Sequence, residues 1–232
     1  MANGCYLAMT AGEFQNCSSL PGRIAWMSCH FSPYGKGLSN LPQALPPGSM
    51  LILDDANMPS GHDPDMVLHQ LHAAVQAHIC SCVLLDFQRP GSEETARMAA
   101  HLAKGLPCPV AASHIYAKAL DCAVLLPPIP PDVLLEEYIQ PWSGREIWLE
   151  LALNAVGYRV TKDGAVSFQP SCFSANGFAD ENLCCHYAIA LLDDHIGFTL
   201  WRTAEDLSLL IEQAEKHGIS QCVGLWQELY GK

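Results

Sequence analysis

Cations are scarce in this chain. Lys and Arg number 12 against 24 Asp and Glu, giving a net charge of -12. Nucleic acid and anionic membrane are bound through clustered cations that release counterions. The sequence shows no basic stripe, so neither is expected as a partner. Long apolar runs are missing too. No stretch approaches the ~18 to 20 consecutive apolar residues of a membrane span. The opening Met1-Ala-Asn-Gly-Cys5 has no basic n-region and no long apolar segment of an export signal. A soluble chain in the cytoplasm is the expectation. Other devices are absent as well. Gly35-Lys36-Gly37 lacks the strand-to-helix context of a phosphate loop, and there is no Gly-x-Ser-x-Gly elbow. The 11 cysteines include Cys80-Ser-Cys82 and the vicinal Cys184-Cys185, but neither has a second pair at zinc spacing. In a reducing compartment they read as thiols that pack as small apolar groups. Asp65, His69 and His72 share a helix face by spacing. They lack the Glu of a His-Glu-x-x-His site and read as solvent-facing. No metal or cofactor is expected.

What is present is a core. Of 232 residues 50% are hydrophobic and 16% charged, which suits one globular domain over 1–232. Eight short runs rich in β-branched and aromatic residues alternate with helix-like stretches, the pattern of βα units. They span 5–10, 24–31, 50–54, 82–88, 109–114, 122–127, 146–153 and 222–227. Several are continuously apolar, as strands buried on both faces should be. Helices are predicted over Pro64–Ala77 behind an Asp63 cap, over Ser92–Lys104, and over Thr203–His217. The last has Thr203 and Asp206 as a capping box and Gly218 as its stop. Residues 32–49 read as a long loop, and 122–146 leaves room only for short helices. Residues 155–202 read as a β-rich insertion, with an Asp163-Gly164 hairpin and a second hairpin over 186–201. Eight strands at this length favour a compact TIM-like (β/α)8 barrel, with a small β-hairpin or α+β insertion between strands seven and eight. In such a barrel, function sits at the C-terminal strand ends.

The strand ends carry the candidate residues. Period two places Leu84, Asp86 and Gln88 on the inward face of strand four. Asp54 and Asp55 close strand three. His30 and Tyr34 close strand two. His114 and Tyr116 close strand five. Glu150, midway along strand seven, faces either the interior with Trp148 or an outer helix. Trp226 ends strand eight, where the alternative to a ligand contact is barrel packing.

Three segments carry a resemblance. Val83-Leu-Leu-Asp-Phe-Gln-Arg-Pro90 resembles the fourth-strand signature of family 18 glycoside hydrolases, the chitinase family, which reads Asp-x-x-Asp-x-Asp-x-Glu. Arg145-Glu-Ile-Trp-Leu-Glu-Leu sits where that family's seventh strand should be. Phe198 to Glu228 resembles its end, in which a hairpin closes the insertion, a helix follows, and the eighth strand ends in Trp. The resemblance covers nearly the whole chain, and the small bacterial members acting on peptidoglycan or spore cortex look nearest. It implies a barrel with a sugar cleft, Trp226 beneath a sugar ring, and spore association as one setting.

The departures bear on activity. Ser81 and Leu84 replace the first two signature acids, Asp86 keeps the third, and Gln88 replaces the catalytic Glu. An amide cannot give up a proton near neutral pH. Strand six, ending Val124-Leu-Leu-Pro127-Pro128, lacks the Tyr-Asp that the family's acetamido-assisted mechanism uses. The expected function is therefore binding of an N-acetylhexosamine glycan without the family's usual hydrolysis. Asp86, Gln88, Trp226, His114, Tyr116, Asp54 and His30 are the candidate ligand-binding residues. Two alternatives stand beside it. An active hydrolase would pair Asp86 with Glu150, Asp54 or Asp55. A protein-interaction scaffold would have its cleft closed by Pro127-Pro128-Ile-Pro130-Pro131.

Overall fold

A computed structural model of the protein describes residues 5–17, 19–20, 22–58, 61–89, 92–170, 177–219 and 221–230. Pro90 of the strand-four string and Ser220 of the C-terminal one lie outside them. In chain order the elements are β1 (Cys5–Met9), α1 (Ala11–Asn16), β2 (Arg23–Phe31), β3 (Leu38–Ser39), β4 (Met50–Asp54), α2 (Pro64–His78), β5 (Cys82–Asp86), α3 (Glu93–Gly105), β6 (Val110–Ser113), α4 (His114–Ala117), β7 (Ala123–Leu126), α5 (Leu135–Ile139) and β8 (Ile147–Leu151). The insertion follows as β9 (Ala155–Thr161), β10 (Gly164–Phe168), β11 (Phe178–Asp180), β12 (Cys185–Leu191) and β13 (Ile196–Trp201). The chain then continues as α6 (Ala204–Lys216), β14 (Gln221–Leu225) and α7 (Trp226–Leu229).

Strands β1, β2, β4, β5, β6, β7, β8 and β14 pair in parallel, and β1 pairs with both β2 and β14. The sheet closes on itself as a TIM-like barrel. Each of the eight apolar runs supplies one of its strands. The three long helices start where their caps predict. Asp63 accepts from Asp65 and Met66 N–H at the head of α2. Ser92 accepts from Thr95 N–H. Thr203 and Asp206 form a capping box, and Gly218 takes φ +80 just beyond α6. The left-handed φ at Gly218 is one that other residues resist. The 32–49 loop also contains β3, which pairs antiparallel with the end of β2.

Period-two alternation divides each strand between two cores. Outward residues such as Val83, Leu85, Leu149 and Leu151 pack under the helices. Inward residues, among them Tyr6, Met50, Cys82, Leu84, Leu125, Trp148 and Val223, fill the barrel. A bulge in β2 breaks the alternation. Trp26 pairs with Leu51, but the next pair is Cys29 with Leu53, so β2 holds one extra residue. Ala25 and Met27 pack with the inner core, while Cys29 and Phe31 belong to the outer one. His30 is thereby turned inward, the re-aiming of a side chain that a bulge permits.

The insertion is a five-stranded antiparallel sheet ordered β10-β9-β13-β12-β11. It contains both predicted hairpins and adds β11, which the sequence reading did not include. Gly164 takes φ +133 in the first hairpin turn. One buried cation ties the sheet down. Arg202 donates to the carbonyls of Leu183, Cys184, Ile129 and Pro130 and to Asn154 Oδ1. A guanidinium presents five N–H donors in a rigid fork. Here they join the insertion to the segments that follow β7 and β8. The Pro-rich segment after β7 is thus part of this joint. Among the described residues, no helix is long and apolar enough to cross a membrane.

Candidate functional site

The top of the barrel interior holds a small cavity of about 80 Å³. Its walls are apolar, formed by Ala8, Met27, Ile52, Leu84, Leu125 and Val223, and three carboxyl groups join them: Asp54, Asp86 and Glu150. Leu84, where the family signature has an acid, contributes to the floor. Asp54 and Asp86 are the last residues of adjacent strands and stand directly opposite each other. On the other side, Asp54 is in register with His30 of β2. His30 Nδ1 lies 2.8 Å from Asp54 Oδ2, though out of line for a hydrogen bond. His30, Asp54 and Asp86 therefore form one row across three strands. Gln88 continues it, because its amide donates to Asp86 Oδ1. Glu150 reaches the same cavity from β8.

Burial, reinforced by crowding of like charge, sets the electrostatics. Burial pushes Asp86 up from the usual carboxylate range. The hydrogen bond from Gln88 acts against this, and the charges of Asp54 and Asp55 add to it. Glu150 is pushed further, to about 7, first by burial and then by the charges of Asp86 and Glu228. Removal from water disfavours the ionised form, and nearby anions do the same. Among the described residues, no Lys or Arg lines the cavity. At neutral pH the site thus holds a carboxyl that is partly protonated beside one that is hydrogen-bonded through an amide.

Asp55 sits apart from the cavity. It is buried and accepts from the backbone N–H of Gln88 and Arg89, at 3.2 and 2.9 Å. Its carboxylate fixes the loop that leaves β5 and so places Gln88. Tyr116 is also buried, outside the barrel, where it packs edge-on against Phe87 and donates to Arg89 O. It braces the same loop from the helix side. His114 opens α4 and does not line the cavity. Tyr34 is fully exposed.

Trp226 begins α7 and stacks on Tyr230, with ring centroids 4.8 Å apart. Leu225, the residue before it, is the one that lines the cavity. Tyr138 was not singled out in the sequence. Its hydroxyl donates to Pro127 O at the top of β7, and it feels the charge of Glu150. No spacing signal points to it, because it arrives on the short helix after β7. Asp65 lies 3.0 Å from His101 Nε2 on the neighbouring helix. Among the described residues, no cluster of three or more candidate metal ligands occurs.

The fold has solved relatives in shape. An N-acetylglucosaminidase of glycoside hydrolase family 18 from Paenibacillus barengoltzii superposes with a TM-score of 0.57 at 9% identity, covering 97% of each chain. A chitinase from Chromobacterium violaceum gives 0.52 at 11% identity, over 99% of this chain and 98% of that one. The spore cortex-lytic enzyme of Bacillus cereus gives 0.53 at 10% identity, over 95% of this chain and 70% of that one. The chain therefore shares the barrel fold of these enzymes. No protein-family model matches the sequence, and a search of curated proteins finds no relative.

Proposed function

We propose that the protein binds a glycan containing N-acetylhexosamine at the top of its barrel, and does not hydrolyse it by the route of family 18 enzymes. One observation carries this reading: the size and lining of the cavity under the carboxyl groups. At about 80 Å³ it lies well below the ~300–1,000 Å³ of pockets that enclose a whole drug-sized ligand. Its size suits a small group such as an acetamido. Its walls of Ala8, Ile52, Leu84 and Leu125 fit the methyl, and Asp54 and Asp86 at its mouth can accept the amide N–H. The ring itself would lie above, over Gln88 and Leu225. Gln88 cannot act as a proton donor. It holds Asp86 instead, leaving that carboxylate one oriented acceptor. The thiol-rich chain suits a reducing compartment, and solved neighbours include a spore cortex-lytic enzyme, so peptidoglycan fragments stand beside chitin-type oligomers as ligands.

Calorimetric titration with N-acetylglucosamine oligomers, their deacetylated counterparts and muropeptides tests the reading. Saturable binding that weakens at least tenfold without the acetyl groups is expected. Equal binding of both forms would sink the acetamido assignment, and no binding would sink the glycan reading. Gln88→Glu run beside it, with mass spectrometry of the ligand, tests the site. Cleavage that rises in this variant ties the bound glycan to the strand-four position.

A further inference from the structure

The insertion carries a sheet edge that none of the usual devices protects. The barrel sheet closes on itself, but the insertion sheet is open, with β10 and β11 at its two ends. A free edge presents unpaired N–H and C=O groups to any other strand, and proteins blunt it by shortness, charge, proline or a bulge. β11 has such protection. It is three residues long and ends in Asp180, whose carboxylate accepts from Asn182 and Leu183 N–H. β10 has none. Gly164-Ala-Val-Ser-Phe168 contains neither charge nor proline, and its register with β9 runs without a bulge. All five of its residues are exposed, Val166 by 68% and Phe168 by 48%. Among the described residues, β9 is its only strand partner.

The alternation of an antiparallel ladder decides which backbone groups are free. Thr161 and Gly164 pair across a two-residue turn. Gly164, Val166 and Phe168 therefore turn their N–H and C=O toward β9, and Ala165 and Ser167 turn theirs outward. We propose that β10 pairs antiparallel with β10 of a second copy of this chain, about a twofold axis at Val166. Ala165 then faces Ser167 of the second copy, and the two exchange both N–H···O=C bonds. Symmetry supplies the second such pair, as an isologous contact requires. The insertion sheets of the two copies become one continuous sheet.

The side chains favour this occupant. Val166 faces itself across the axis, and β-branched residues pair well on a sheet. Gly164 faces Phe168 of the second copy. Within one copy Phe168 already covers a glycine in this way, since its ring lies where a side chain at Gly157 would stand. The space beside Gly164 is open, and an aromatic ring across from an edge glycine compensates for the missing side chain. Beyond the strand, Asp163 faces Gln169 of the second copy, so no like charges are opposed. Each copy carries a net charge of -12. An uncharged edge is where two such copies can approach, because solvent ions screen the charges that lie further off. One five-residue edge is a small contact, so the dimer is a weak one.

Sedimentation equilibrium over roughly 1 to 500 μM protein tests the pairing, with Val166→Lys, Val166→Asp and their equimolar mixture beside wild type. The wild-type mass should rise with concentration from 25.2 kDa toward twice that value. Each variant places like charges opposite each other and should weaken association roughly tenfold. The mixture, in which Lys faces Asp, should regain it, because residue 166 is the position that faces itself. Amide hydrogen exchange of wild type at both ends of the concentration range needs no variant. Ala165 and Ser167 N–H should slow at high concentration, while Val166 N–H is equally protected at both. A monomer throughout overturns the proposal. So does a dimer untouched by either substitution, or a mixture that stays monomeric. Exchange at Ala165 and Ser167 that ignores concentration overturns it too.

Discussion

The two ends of the barrel interior follow opposite rules. At the lower end Tyr6, Arg23 and Trp148 all have partners. Tyr6 OH lies 2.6 Å from Ser81 Oγ, which itself donates to Gly48 O. The Arg23 guanidinium covers the Tyr6 ring at 4.3 Å and donates to Gln221. Trp148, one layer below Glu150, fills the middle and donates its ring N–H to Glu146. At the upper end, three carboxyl groups share a small cavity, and among the described residues no Lys or Arg lines it. Packing at the lower end serves stability. The upper end gives stability up, because like charges and desolvation raise the energy of the folded state. That asymmetry matches the location of function in barrels of this kind.

Substitutions can break or sharpen this contrast. The largest effect belongs to the lower end. Trp148→Ala empties a fully buried site and should cost about 3–5 kcal/mol in denaturant unfolding. Glu150→Gln should do the reverse. The carboxyl is raised from 4.5 to about 7, so the native state binds more protons than the unfolded chain between those values, and stability falls as pH rises through them. Replacing it with a neutral amide should stabilise by about 3 kcal/mol at pH 8 and by almost nothing at pH 4. Thermal melts at both pH values check this. A gain of the same size at pH 4 would show that charge is not the cause.

Filling the cavity comes next. Ala8→Leu should weaken binding of acetylated oligomers by roughly tenfold, about 1.4 kcal/mol, while deacetylated ones change little; calorimetry separates the two. Tyr6→Phe, the mildest, removes a single hydroxyl. A loss of about 1 kcal/mol of stability, with glycan binding unchanged, is the expected result. A change in binding would mean that the two ends are coupled.

Much of this architecture was legible in the chain. Apolar runs marked all eight barrel strands, because parallel strands buried on both faces read as continuous apolar segments. The caps at Asp63, Ser92 and Thr203 marked three helix starts, because a side-chain oxygen there satisfies backbone N–H groups that the helix leaves free. The Asp163-Gly164 turn marked the insertion. Within the site, Asp86, Gln88 and Asp54 could be placed from strand alternation and their position at strand ends. The short helices α1, α4 and α5 were not assigned as elements, since four to six residues give too little periodicity to read.

Local sequence therefore determined which residues form the eight barrel strands and where the long helices begin. The tertiary structure decided which side chains meet. A bulge in β2 turns His30 toward Asp54, and period-two counting cannot locate an extra residue. Barrel closure brings Glu150 from β8 to the cavity of Asp86 from β5, and burial there pushes its carboxyl up to about 7. Tyr116 and Trp226, which end or follow their strands as the site residues do, are instead drawn into packing with Phe87 and Tyr230. Alternation along a strand fixes which neighbours share a face. Only closure of the sheet fixes which faces look at one another across the barrel.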